Sequence, residues 1–257
     1  MRRTENYQFW FGLIMHSLRE RLHKLRNFLI SRFISKSHRK QNLESQIAAF
    51  SIAEYDSSLR FLNLVQDLDV NFTIEVGAFD AEFSKVAVGL KSVKESWAFE
   101  ASPFVYHRFK ELVPKKLNYV NLAINNYSGE CKFQLQSEYL DHSLVSNNSV
   151  KHRNELKPYE YISVPCNTLD LYFSRVSKKR IALWIDAEGA NREILLGGAA
   201  LLEQVVAIFI ETELQNYWLD SWLHEDVEKF LSNKGFYLFH KNEQYFAQTN
   251  CIFLRKN

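Results

Sequence analysis

Apolar and polar residues alternate along this chain with a period that changes several times. Leu18, Leu22, Leu25 and Leu29 recur at helical spacing, while Arg19, Arg21, Lys24, Arg26 and Arg32 lie largely off that stripe. Residues 35–41 are polar and read as a linker. From Leu43 to about Leu68 the helical period returns, with Ile47, Phe50, Leu59, Leu62 and Val65 apolar. Beyond it, strand and helix signatures alternate. Val70 to Val76 predicts a strand, Glu82 to Leu90 a helix, Ser96 to Glu100 a strand, Phe104 to Leu112 a helix and Tyr119 to Ile124 a strand. Cys131 to Leu135 is a further strand, residues 137–160 are polar and irregular, and Tyr161 to Val164 is a strand. A helix follows over Thr168 to Val176, then a strand over Ile181 to Asp186, a helix over Arg192 to Leu202 and a strand over Val205 to Glu211. Ser221 to Asn233 is helical, and Phe236 to His240 with Phe246 to Leu254 predicts a closing β-hairpin.

Strands alternating with helices imply βαβ units, a mainly parallel sheet and helices on both faces. Unbroken apolar runs such as Val205 to Ile210 suit central strands covered on both sides. The chain divides into an arm with linker, residues 1–41, and an α/β domain, residues 42–257.

Composition agrees with a globular domain: 46% of the 257 residues are hydrophobic and 24% charged. The three cysteines form no CxxC pair, so neither a zinc site nor a disulfide framework is predicted, and a reducing, cytoplasmic setting follows. Charge is unevenly placed. Residues 1–40 hold ten Lys and Arg against two Asp and Glu, leaving 22 basic and 28 acidic residues in the remainder. The apolar run Phe9 to Met15 is too short for a bilayer span of about 20 residues. Its flanks (Glu5 before it, His16, Arg19 and Glu20 after it) argue against a cleaved signal. The basic helix suits the anionic inner face of a membrane, as a peripheral contact, or a docking partner; packing on its own domain or on a second copy in a homodimer is the plainer reading.

In an open parallel sheet the chemistry sits beyond the carboxyl ends of the strands. The first such end reads Glu75-Val76-Gly77-Ala78-Phe79-Asp80, and the second Phe99-Glu100-Ala101-Ser102. The third lies near Asn121-Leu122-Ala123, followed by Asp186-Ala187-Glu188-Gly189 and Glu211-Thr212-Glu213. A carboxylate about twenty residues after a Gly turn is suited to the hydroxyls of a ribose. Each feature has a plainer reading: Gly77 as an ordinary βα turn, Glu100 as a solvated carboxylate or cap, Asp186 and Glu188 as caps of the following helix. The chain has neither GxGxxG nor GxxxxGK[ST], so a nucleoside cofactor is favoured over a dinucleotide or a P-loop nucleotide. Asp186, Glu188 and Glu211 form an oxygen-rich set, but no metal is predicted. No two prolines are adjacent, which excludes the [ND]PP[YFW] motif of amino-methylating enzymes. Cys166, on a strand away from the fourth strand end, reads as a buried structural thiol. An acidic body without an aromatic–basic groove argues against nucleic acid.

Four segments in order and spacing carry a resemblance: IEVGAFDAEFS at 74–84, AFEASP at 98–103, NTLD at 167–170 and LWIDAEGANREILLGG at 183–198. Together, over about residues 70–213, they resemble the FkbM-type methyltransferases. The resemblance implies a Rossmann-like class I methyltransferase fold with a seven-stranded sheet, and S-adenosyl-L-methionine as cofactor. By position it implies that Glu75 and Gly77 hold the methionine end of the cofactor, with Ala78 as the small residue of that turn, and that Glu100 binds the ribose; Phe79, which could face the sulfonium through a cation–π contact, and the strand-end residues Ala101, Asn121 and Ala123 are further cofactor-side candidates. Asp186, Glu188 and Gly189 match the family's D-x-E-G segment, where the two acids face the methyl group or the acceptor as candidate bases; apart from the resemblance, His142 in the polar segment before Asn147 is a candidate base on a lid, with a surface histidine as its plainer reading. The acceptor class it implies is a hydroxyl of a carbohydrate, glycolipid or related small molecule. Four positions depart from the family pattern: Phe79 stands in place of Asn, Ala81 of Gly, Trp184 of Lys and Asn191 of Glu. These departures motivate an alternative, a degenerate methyltransferase-like scaffold that binds in glycan biosynthesis.

Overall fold

The computed structural model describes residues 56–135, 160–216, 218–242 and 248–256. The arm, the linker and His142 lie outside the described residues, as does the first part of the predicted 43–68 helix. Within the described chain, residues 56–67 (α1) are helical. They lead into β1 (Phe72–Val76), α2 (Glu82–Ala87), β2 (Glu95–Glu100), α3 (Pro103–Phe109), β3 (Asn118–Asn121), β4 (Ala123–Ile124) and β5 (Gly129–Leu135). Then come β6 (Glu160–Asn167), α4 (Leu169–Tyr172), β7 (Ile181–Ile185), α5 (Asn191–Gly197) and a 3₁₀ turn (Leu201–Gln204). The described chain closes with β8 (Val205–Glu213), α6 (His224–Asn233), β9 (Phe236–Lys241) and β10 (Gln248–Arg255).

Seven strands form the main sheet in the order β3-β2-β1-β7-β8-β10-β9. Pairing is parallel from β3 to β8, whereas β10 runs antiparallel to both β8 and β9. The predicted hairpin is present, and its second strand enters the sheet between β8 and β9 instead of extending the edge. Alternation along the strands explains the layers. Phe72, Ile74 and Val76 of β1, with Ile181, Leu183 and Ile185 of β7, pack on one face with Leu169, Ile194, Val227 and Leu231 from α4, α5 and α6. On the other face Ala182, Ala207, Phe209 and Ile252 meet Phe61 and Val65 of α1 and Phe83 of α2. The central strands β1, β7 and β8 thus have apolar cover on both faces, the condition under which a parallel sheet is stable.

Trp184 belongs to the second layer. Its ring stacks on Phe209 of the neighbouring strand, with centroids 3.6 Å apart, and also on Phe83 at 5.0 Å. Where the family pattern carries Lys, this chain has therefore added an aromatic to the core. Among the described residues no helix is long and apolar enough to cross a membrane.

The chain also forms a second, three-stranded sheet that the sequence pattern does not reveal. The expected strand Tyr119 to Ile124 breaks at Leu122, and its last piece, β4, pairs with β6, which pairs antiparallel with β5. Pro165 lies within β6, opposite Glu130, and the strand continues past it to Asn167. The predicted helix Arg192 to Leu202 ends early because Gly197 and Gly198 interrupt it. A Cβ on Gly197 would lie 3.1 Å from the carbonyl carbon of Asn125, so the helix end is pressed against the second sheet.

The NTLD segment turns out to be scaffolding. Asn167 Oδ1 accepts the Thr168 N–H at 2.8 Å, and Thr168 Oγ1 caps α4 by accepting the Leu171 N–H at 3.0 Å. The Asp170 carboxylate accepts the N–H groups of Ala200 and Leu201 at the start of the 3₁₀ turn, the latter at 2.7 Å. Asp170→Ala is expected to lower stability by about 1–2 kcal/mol through loss of this cap. A shift in the urea midpoint at unchanged slope would register it, and an unchanged midpoint would remove the capping role.

Candidate active site at the carboxyl ends of the strands

From β1 the chain moves to β2 and β3 on one side, and β7 and β8 lie on the other, so strand order reverses between β1 and β7. Such a reversal opens a crevice at the carboxyl ends. The turn after β1 is stitched to both neighbours. Gly77 and Ala78 donate their N–H groups to Phe99 O at 3.1 and 2.9 Å, and Asp186 donates to Val76 O at 2.9 Å. Gly77 has φ +77, and a Cβ there would collide with the Asp186 carbonyl oxygen and lie 2.6 Å from its carbon. The need for glycine arises from this backbone approach of β1 to β7.

Two further residues of the turn are left-handed without being glycine, Phe79 (φ 48) and Ala81 (φ 59). These are the positions where the family pattern has Asn and Gly, the residues that tolerate this conformation best. The strain is held by neighbours. Phe79 N–H donates to Glu100 Oε2 at 2.8 Å, its carbonyl accepts the Tyr119 hydroxyl, and its ring packs on Phe109 at 5.2 Å. Ala81 is buried with Ala78, Ala98, Leu117 and Tyr119.

Glu100 is the central carboxyl of this side. It is 7% exposed, and its second oxygen accepts the Ser102 N–H at 2.7 Å. Burial pushes its pKa up to about 7, opposed by the Ser102 and Phe79 amides and assisted by the charge of Asp186. Each oxygen has one backbone donor and so keeps acceptor capacity for a further hydroxyl. Burial and this charge environment hold the Tyr119 hydroxyl in its protonated, donating form.

Other predicted residues serve the frame. Glu75 is buried, and its carboxylate accepts the Ser84 N–H at 2.9 Å in the first turn of α2. Asn121 donates its side-chain amide to the carbonyls of Glu100 and Ala101, at 2.8 and 3.2 Å, and so fixes the end of β2. Ala78 is buried under the turn, and Ala123 is buried against Cys131 and Cys166 in the second sheet. Ala101 lies partly exposed beside that cluster. Cys166 has its thiol raised by burial and sits beside Tyr127 O, as expected of a structural thiol.

Asp186 and Glu188 follow β7, both partly exposed, with Glu188 at φ 22. The N-cap of α5 is Ala190, which leaves the two acids on the turn before the helix. Asp186 acts electrostatically on Glu100 on one side and on Glu213 on the other. Among the described residues no group of three or more His, Cys, Asp or Glu is placed to hold a metal ion. Glu211 instead accepts the Gln248 amide at 2.7 Å.

The sequence marks Glu213 only as part of a strand end. It is 1% exposed, its Oε1 accepts the Gly189 N–H at 3.0 Å, and burial raises its pKa to about 7. The signal in the sequence was the second acid of the IETE run, two residues past the expected end of β8.

Comparison with known proteins bears on this arrangement. No curated protein matches the chain. Among solved structures, magnesium protoporphyrin IX methyltransferase of Synechocystis is similar at 5% identity, over 82% of this chain and 87% of that one, with a TM-score of 0.45. Precorrin-6y C5,15-methyltransferase of Geobacter metallireducens is similar at 13% identity over 78% and 87%, with a TM-score of 0.43. A 1,6-didemethyltoxoflavin-N1-methyltransferase of Burkholderia thailandensis is similar at 9% identity over 93% and 90%, with a TM-score of 0.42. The methyltransferase FkbM domain matches residues 73–238, from the start of β1 into β9, and thus takes in every strand end described above. With well over half its length matched, the chain belongs to the FkbM methyltransferase family.

Proposed function

We propose that this protein transfers a methyl group from S-adenosyl-L-methionine to a hydroxyl of a carbohydrate, glycolipid or related small acceptor. The observation that carries the reading is the Glu100 carboxyl, buried and held against the β1 turn with acceptor capacity left on both oxygens. That is the chemistry a ribose diol requires. When bound, the cofactor supplies an activated methyl on a sulfonium, so the protein's contribution is chiefly placement and proton handling. Glu100 accepts the ribose hydroxyls. In this reading Asp186, on the strand next to the Gly77 turn, accepts the proton of an acceptor hydroxyl at a carboxylate oxygen, and Glu188 is the second candidate on the same turn. Phe79 and Ala81 keep left-handed backbones in spite of their side chains. The turn thus keeps its shape where its sequence departs, which favours a working site over a degenerate scaffold. Within this reading the basic arm, residues 1–40, brings a membrane-linked acceptor to the site at the inner face of the membrane.

Isothermal titration with S-adenosylhomocysteine tests the proposal, and its pH dependence tests the role of Glu100. Only the ionised carboxylate accepts from both hydroxyls, so affinity is expected to fall as pH drops below about 7, approaching tenfold per unit. Glu100→Gln should flatten this limb. Folding has the opposite sign. With its folded pKa above the unfolded value, Glu100 takes up a proton in the folded state first, so its contribution declines as pH rises from about 5 and is gone above about 7. A pH-independent affinity in the wild type would remove Glu100 from the ribose site. Absence of binding at high micromolar ligand would end the proposal.

A further inference from the structure

Beyond β8 the chain makes a loop whose ends are joined, because Glu213 and Leu223 form a single β-bridge. The loop returns Trp218 over the Asp186–Gly189 turn, and Gly189 is gripped there from two sides. Its N–H donates to Glu213 Oε1 at 3.0 Å. Its Cα faces the indole so closely that a Cβ would lie 2.6 Å from Trp218 Cδ1 and 2.7 Å from Trp218 Cβ. Glu213 and Trp218 are each 1% exposed. Gly189 itself is left-handed at φ +73 and follows Glu188 at φ 22. Backbone of this kind persists only where its surroundings over-determine it. Glu213 also has a cost that a purely structural acceptor would not carry. Its Oε2 is buried with no hydrogen-bond partner among the described residues. Buried polar atoms of this sort are uncommon in folded proteins and call for an explanation.

We infer that Glu213 and Trp218 are positioning residues of the acceptor side: together they seat Gly189, and so fix the turn that carries Asp186 and Glu188. The inference rests on the methyltransferase reading of the site. It divides the carboxyl edge of the sheet into two halves. Glu100 and the β1 turn serve the cofactor, whereas the β8 loop sets the geometry of the turn that meets the acceptor.

The test uses the full chain and five forms: wild type, Glu213→Gln, Glu213→Ala, Trp218→Phe and Trp218→Ala. Three readouts are taken: amide hydrogen exchange over residues 186–190, titration with S-adenosylhomocysteine, and transfer of labelled methyl groups to an extract of the producing cells. Gln keeps a carbonyl oxygen for the Gly189 N–H, and Phe keeps a ring. Exchange at Gly189 is expected to accelerate about tenfold or more in the Ala variants and by less than about threefold in Glu213→Gln and Trp218→Phe, with Ile208 and Ile210 of β8 still protected. Ligand affinity should stay within about threefold in all five, while label transfer falls about tenfold or more in the Ala variants alone. Unchanged exchange in Glu213→Ala and Trp218→Ala would overturn the inference. So would a loss of ligand affinity in step with transfer, since that places the loop on the cofactor side. Failure of the wild type to bind ligand or transfer label would instead sink the methyltransferase reading, and the exchange data would still decide whether the two side chains hold the turn.

Discussion

Gly77→Ala is expected to destabilise the protein by about 3 kcal/mol or more and to abolish cofactor binding. Two independent costs combine. A non-glycine residue at φ +77 costs about 1–2 kcal/mol. The added methyl meets the Asp186 carbonyl, a backbone group that no rotamer change can move aside, and overpacking of this sort costs about 1–3 kcal/mol. Relief requires β1 and β7 to part where Asp186 N–H bonds Val76 O. The same parting displaces Asp186 from the Glu100 side of the crevice. Thermal and urea unfolding of the variant, with S-adenosylhomocysteine titration, measure both effects. A variant with an unchanged urea midpoint would show that the approach of β1 to β7 is looser than described.

The second large effect is expected from Glu100→Ala. Two charge-assisted hydrogen bonds to a ribose are lost, each worth about 1.5–3 kcal/mol. Affinity for S-adenosylhomocysteine should therefore fall about a hundredfold or more. Stability responds less simply. The Phe79 and Ser102 N–H groups lose their acceptor, which destabilises, while removal of a buried carboxyl whose ionisation is opposed by burial works the other way. Glu100→Gln separates the two, because it keeps one carbonyl oxygen while its NH₂ faces one of those donors. An intermediate loss of affinity is expected for it, near tenfold. Retention of full affinity in Glu100→Ala would place the ribose elsewhere.

Much of this architecture was legible because burial on both faces of a parallel sheet leaves continuous apolar runs. β1, β7 and β8 were found in that way, and their carboxyl ends follow directly. The second sheet was hidden for two physical reasons. Leu122 interrupts one strand without any glycine or proline to mark it, and the partners of β6, which are β4 and β5, are set by register that no local pattern displays. Glu75 and Asn121 were visible as polar residues at strand ends, but their engagement with backbone groups depends on register and on the short helix α2. Trp184 and Asn191 looked alike as departures. One proved to be an aromatic layer and the other a buried amide bonded to Glu211 O at 2.7 Å. Glu213 escaped because strand length is decided by pairing: β10 pairs with β8 as far as Glu213, and that partner comes from the far end of the sequence.

The insertion of β10 between β8 and β9 has a consequence for how the molecule is made. The ribosome delivers β9 before β10, yet β9 has no place in the main sheet until β10 has paired with β8. Throughout that interval the nascent chain presents the apolar edge of β8, an invitation to wrong partners. Holdase binding to ribosome-stalled chains should therefore persist until the codons for Gln248 to Arg255 have been read and their product has cleared the exit tunnel.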